Sequence, residues 1–223
     1  MDAFTLDDVV AVEGAFPVLA GVTVSARTGT LTAIIGGNGA GKTSLLRTIA
    51  GLTSLARGTG EVLGCNLATN ASGLIGRVGL LSHATGLYDE LSPIDNLRFL
   101  ARVTRANRQA VDAALALVSL SERAATTPVG QLSAGQRRRA GLSALVLRSP
   151  ELWLLDEPHA SLDPEAKATV DRLIASVVKA GATVVLTSHE PERAAQSADQ
   201  VVHMAGGAVV TVEAGSGQVH HVS

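Results

Sequence analysis

An apolar run, Leu31-Thr32-Ala33-Ile34-Ile35, leads into Gly36-Gly37-Asn38-Gly39-Ala40-Gly41-Lys42-Thr43, and Leu45, Leu46, Ile49 and Ala50 then recur at helical spacing until Gly51. The middle stretch fits G-x-x-x-x-G-K-[ST], a pattern that works only where a strand passes through a tight turn into a helix. Four glycines let the backbone turn its N–H groups inward around a cluster of oxygens, and the helix start adds partial positive charge. Lys42 supplies a point charge for β- and γ-phosphates, and the Thr43 hydroxyl can ligate Mg²⁺. Ser44 sits on the same first turn. A chance Gly-rich turn is the plain alternative, but with 23 Gly and three Lys in the chain the pattern arises at random only roughly half a per cent of the time. A dinucleotide loop fails because Lys42 stands where its last glycine belongs. Gly36 to Ser44 are therefore the candidate nucleotide-binding residues.

At 223 residues the chain is long enough for one domain with a sizeable core. Aromatic residues make up 2% against 46% hydrophobic residues in all, so Leu, Val, Ile and Ala must build that core. A net charge of −2 offers no bulk attraction to nucleic acid or anionic lipid. The single cysteine, Cys65, excludes an intramolecular disulfide and a cysteine-based zinc site, and is expected as a small buried apolar group. No apolar run reaches a membrane span and no signal peptide is recognisable, so a soluble, cytoplasmic protein is expected, with membrane attachment through a partner.

Loose alternation over residues 4–26 predicts two or three strands, residues 57–67 a turn and short edge strand, and residues 77–82 another strand. From 92 to 119 the pattern is helical, opening on Ser92-Pro93-Ile94-Asp95 with an N-cap, a proline at the first helical position and an acid at the third. Residues 84–150 carry no strand signal and read as an inserted helical lobe. Leu152-Trp153-Leu154-Leu155 is a buried strand, and Val170, Leu173, Ile174, Val177 and Val178 form one helical face ended by Gly181. Thr183-Val184-Val185-Leu186-Thr187 is the next strand. Strands separated by helices imply an α/β fold with a mainly parallel sheet, whose ligands gather at the carboxyl ends of its strands. Residues 213–223 read as a loose tail, with His220 and His221 solvated.

Asp156 and Glu157 end the strand beginning at Leu152. Two carboxylates after a buried strand are costly unless compensated. Beside a phosphate loop, Asp156 would hold Mg²⁺ and Glu157 would orient and deprotonate an attacking water. His189, just past the strand ending at Thr187, is expected to contact the γ-phosphate. Ser133-Ala134-Gly135-Gln136 is locally a capping box opening a helix. Its exposed helix start is also an anion site, without saying whose anion. Arg137-Arg138-Arg139 could be a solvated face.

Leu132-Ser133-Ala134-Gly135-Gln136 resembles the signature motif of ATP-binding cassette (ABC) ATPases. Residues 36–43, 132–136 and 152–157, Ser161-Leu162-Asp163 and His189 follow that family's order across nearly the whole chain. The resemblance implies one ABC ATPase domain over residues 1–223: a RecA-like P-loop NTPase core, an N-terminal antiparallel β portion and a helical lobe near 84–150. It implies ATP and Mg²⁺ as ligands, with Lys42, Glu157 and His189 catalytic and Thr43 and Asp156 on the metal. Ser133, Gly135 and Gln136 would bind ATP held by the other member of a head-to-tail pair, with Asp163 at the seam. His83 stands where many members carry a metal-contacting glutamine. Glu13 aligns with the aromatic that stacks on adenine, leaving Phe16 as a substitute.

Leu80-Leu81-Ser82-His83-Ala84-Thr85-Gly86-Leu87-Tyr88-Asp89-Glu90-Leu91, running into Asn96-Leu97-Arg98-Phe99, is similar to ATP-binding subunits of the haem exporters of cytochrome c maturation. Drug, antibiotic and lipid exporters are the alternatives within the family. The partners so implied are a second ABC subunit, in a homodimer or mixed pair, and an integral membrane permease gripped near residues 86–91, at the cytoplasmic face of the membrane. A soluble ABC protein of ribosomes or DNA is the rival reading, but the charge gives it no basic surface. A non-hydrolytic switch is the other, against which Glu157 and His189 argue.

Overall fold

The computed structural model describes residues 1–14 and 16–216, so His220 and His221 lie outside the described residues. The first half of the chain runs through β1 (Asp2–Glu13), β2 (Phe16–Arg27), β3 (Leu31–Ile35), α1 (Lys42–Ile49), β4 (Leu55–Val62), β5 (Cys65–Asn66) and β6 (Val78–Leu81). Helices follow at α2 (Pro93–Thr104), α3 (Arg108–Leu117), α4 (Glu122–Thr126) and α5 (Ala134–Arg148). Then come β7 (Leu152–Leu155), α6 (Pro164–Lys179), β8 (Thr183–Ser188), α7 (Pro191–Ser197), β9 (Gln200–Ala205) and β10 (Ala208–Ala214). The chain divides into two compact units, one of Met1–Leu80, Glu151–Glu157 and the described residues from 178 on, the other of Leu81–Pro150 and Pro158–Val177.

In the first unit an antiparallel sheet has the order β2-β1-β4-β5, and a six-stranded sheet the order β10-β9-β3-β8-β7-β6. Within the latter, β8 runs parallel to both β3 and β7, β3 runs parallel to β9, and β10 returns antiparallel on β9. Every residue of β3, β7 and β8 is buried, which is why their sequences are mostly apolar with no in–out alternation: a parallel strand is covered on both faces. β1 and β2 alternate instead, as strands covered on one face do. Leu45, Leu46 and Ile49 of α1 pack into one core with Phe4 and Leu6 of β1, Leu152 and Leu154 of β7 and Val185 of β8. Each such side chain contributes roughly 1.5–3 kcal/mol by leaving water. That core fixes α1 against the sheet and so fixes the loop that precedes it. Residues 55–62 form an interior strand of the antiparallel sheet, and the short edge strand within residues 57–67 is two-residue β5, with β2 at the opposite edge.

The second unit is helical through Pro150 and is joined by most of α6. Ser92 caps α2, accepting from the Asp95 N–H, and its hydroxyl donates to Asp95 Oδ2 at 2.6 Å. The three consecutive arginines of α5 are not a solvated face. Arg138 is buried and donates to Ser82 O at 2.7 Å, Arg139 donates to Ser119 O at 2.6 Å, and Arg137 donates to Gly130 O at 3.3 Å. Their guanidinium groups tie three turns of the lobe to one helix.

Candidate functional site

Between β3 and α1 the chain must reverse against neighbouring backbone. At Gly36 a β-carbon would lie 2.3 Å from Met204 O, and Gly41 holds φ +96°, so glycine is required at both. Lys42, 6% exposed, donates through Nζ to Gly36 O at 2.8 Å and Gly37 O at 3.1 Å. Two of its three donors therefore brace the loop and one is left for an oxygen lying in the loop's concavity. The start of α1 adds its N–H groups and dipole there.

β7 and β8 end beside this loop. Asp156 is 1% exposed, and both its carboxylate oxygens are engaged: Thr43 Oγ1 donates to Oδ2 at 2.8 Å and Thr187 Oγ1 donates to Oδ1 at 2.7 Å. Carboxylate oxygens buried this deeply are costly unless donors of this kind meet them. Glu157 follows in the left-handed region at φ +52°, its N–H donating to Thr187 Oγ1 at 2.9 Å. Its Oε1 lies 2.5 Å from His189 Nε2. Facing a carboxylate, that ring nitrogen carries the proton and donates. One carboxylate is thus fixed beside a hydroxyl of the phosphate loop, and the next is oriented by a histidine. The hydroxyl and carboxylate oxygens of Thr43 and Asp156 are hard ligands suited to Mg²⁺, which takes one or two protein ligands and fills its shell with phosphate and water. No group of three or more His, Cys, Asp or Glu placed for a metal occurs among the described residues.

The structure brings together Lys42, Thr43, Asp156, Glu157 and His189. Thr187, fully buried, joins them and is the residue that sequence reasoning missed. Its signal was available: the apolar run Val184-Val185-Leu186 is followed by a β-branched hydroxyl just as β7 is followed by Asp156. Phe16 stands 76% exposed at the tip of the β1–β2 hairpin, cross-strand from Glu13, whose Oε1 pairs with Arg47 Nε at 3.2 Å. His83 is exposed and belongs to the second unit.

That unit also carries Ser133, Gly135 and Gln136. Ser133 Oγ accepts from the Gln136 N–H at 3.2 Å, and Gln136 Oε1 accepts from the Ser133 N–H at 3.0 Å, a complete capping box on α5. The box spends the Gln136 side-chain oxygen and leaves the Ala134 and Gly135 N–H groups for an outside acceptor. A β-carbon at Gly135 would lie 2.9 Å from Ser161 O, so glycine lets the loop carrying Ser161-Leu162-Asp163 close onto the start of α5.

A family profile described as "ABC transporter" matches residues 19–160. The cytochrome c biogenesis ATP-binding export protein CcmA of Cupriavidus necator is 39% identical over 174 residues, covering 77% of this chain and 76% of its own length. The protein of the same name from Paramagnetospirillum magneticum is 39% identical over 191 residues, covering 83% and 87%. Among solved structures, the ATP-binding subunit of an ABC transporter superposes with a TM-score of 0.84 at 26% identity, covering 95% of this chain and 90% of that one. A dimeric ATP-binding cassette in a post-hydrolysis state with ADP and phosphate gives 0.84 at 21%, covering 95% and 98%. A phosphate loop seated on a parallel sheet, two strand-end carboxylates and a capped signature helix, together with these matches, establish that the chain belongs to the ABC transporter family.

Proposed function

We propose that this chain is the ATP-hydrolysing subunit of a membrane exporter serving cytochrome c biogenesis, with haem as its cargo. The observation that carries the ATPase part is the cluster at the ends of β3, β7 and β8, where Thr43 bonds Asp156, His189 pairs with Glu157, and Thr187 bonds both carboxylate residues. The kinship with the CcmA proteins carries the cargo.

ATP would lay its phosphates in the concavity of the loop, against the N–H groups of residues 36–43 and the free donor of Lys42. Thr43 and Asp156 would hold Mg²⁺, which would supply positive charge against the negative charge of the phosphates. Glu157 Oε accepts the proton of the attacking water as its oxygen bonds to the γ-phosphorus and the bond to the β–γ bridging oxygen breaks, giving ADP and phosphate. His189 orients Glu157 through its Nε2–H and stabilises negative charge as it develops. The Ser133 hydroxyl and the Gly135 N–H of a second subunit would complete the γ-phosphate shell. Glu13 and Phe16 would border the base.

The permease contact falls on the helical lobe. Tyr88 and Phe99 pack edge to face at 5.8 Å and both are exposed. In a chain with five aromatics, an aromatic pair left on the surface near residues 86–91 supports a helix-gripping site there. No helix among the described residues is long and apolar enough to cross a membrane. Nothing in the charge or motifs calls for nucleic acid.

Glu157→Gln tests the reading. The variant should bind ATP, lose turnover and accumulate as an ATP-bound dimer on gel filtration, and the wild-type chain should co-purify with an integral membrane protein. Phosphate release by the variant at the wild-type rate would refute it.

A further inference from the structure

We propose that Thr187 is a positioning residue for hydrolysis: one hydroxyl sets both the carboxylate that holds the metal and the backbone that presents the base. Its Oγ1 donates to Asp156 Oδ1 at 2.7 Å and accepts from the Glu157 N–H at 2.9 Å. The ladder fixes it there. Leu155 of β7 pairs with Leu186 of β8, so the next residue on each strand, Asp156 and Thr187, face one another at the sheet's carboxyl end.

The two bonds do different things. Thr43 already holds Oδ2 of Asp156, so the bond from Thr187 to Oδ1 pins the carboxylate from its other side and sets its plane. The bond accepted from Glu157 holds that residue at φ +52°, a region other than glycine residues avoid. In that conformation the Glu157 side chain reaches His189. The Thr187 side chain is fully buried, and no element of this role requires it to touch ATP. A hydroxyl in this place is more than packing: valine has the same shape but would leave one donor and one acceptor without partners.

The inference rests on the ATPase reading, so wild type and Lys42→Ala are assayed in parallel with Thr187→Val and Thr187→Ser, each as the full chain with its permease. Thr187→Val should lower kcat about 10–100-fold, as losing a group that orients a metal ligand does, with the ATP KM little changed. Its ATP affinity measured in EDTA should equal wild type, because the phosphate loop and Lys42 are untouched. Thr187→Ser keeps the hydroxyl and should recover most of the turnover. If the valine variant does not fold, Thr187→Ala is read the same way. Wild-type kcat in Thr187→Val, or an equal loss in Thr187→Ser, would overturn the inference while leaving the ATPase reading in place. A wild-type chain without turnover, indifferent to Lys42→Ala, would overturn both.

Discussion

Lys42 does two jobs with one ammonium group. Its bonds to Gly36 O and Gly37 O close the loop on itself, and its third donor and its charge are left for a phosphate. Replacing it should therefore cost ligand affinity first. A hydrogen bond to a charged group is worth about 1.5–3 kcal/mol, so Lys42→Ala should weaken ATP binding by roughly 10–100-fold at 25 °C, measured by titration calorimetry. Unchanged affinity would mean that the loop's backbone alone carries the phosphates. At this scale the residue types were legible: Gly-rich turn, lysine, hydroxyl, paired carboxylates and a histidine each announce their chemistry. Their pairings were not. Sequence reasoning aimed His189 at a phosphate and did not foresee its pairing with Glu157. A one-dimensional pattern gives strand ends, and only the register across β7 and β8 says which side chains meet.

At the scale of elements, one ion pair joins three of them. Arg77, just before β6, donates from Nε and Nη2 to the two carboxylate oxygens of Glu151 at 2.7 and 3.0 Å, and from Nη1 to Leu63 O at 3.0 Å beyond β4. Hydrogen bonding from Arg77 holds the Glu151 carboxyl below its ordinary value of 4.5, with burial opposing it. A carboxylate lowered on folding adds stability above its unfolded value and loses it as pH falls through the folded one. Glu151→Gln should therefore lower the melting temperature at pH 7 and make progressively less difference as pH drops from 4.5 toward the folded value. A gap that stayed constant across that range would remove the ionic part of the claim. Elements with strong periodic signals, β3, β7, β8, α2 and α6, were readable because burial on one stripe or both faces leaves a pattern. α7, β9 and β10 were not. α7 is seven residues long, too short to show a period, and β10 is mostly exposed, so its valines obey pairing with β9 rather than core burial.

At the scale of the whole molecule, the loop of one subunit and the signature helix of another are proposed to share each ATP. Lys42 marks the first half and Ser133 the second, and they can be disabled separately. Ser133→Asp is the apt change, since aspartate caps a helix as well as serine does while setting a carboxylate where the γ-phosphate would approach. Either Lys42→Ala or Ser133→Asp alone then disables both sites of a symmetric pair. A mixed pair behaves differently. One site inherits both defects, and the other combines the intact loop of the Ser133→Asp subunit with the intact signature helix of the Lys42→Ala subunit. After random exchange half the pairs are mixed, each with one of two sites working, so an equimolar mixture should regain roughly a quarter of wild-type ATPase activity. If each subunit carried a complete site of its own, mixing two inactive variants would restore nothing, and phosphate release from the mixture decides between these.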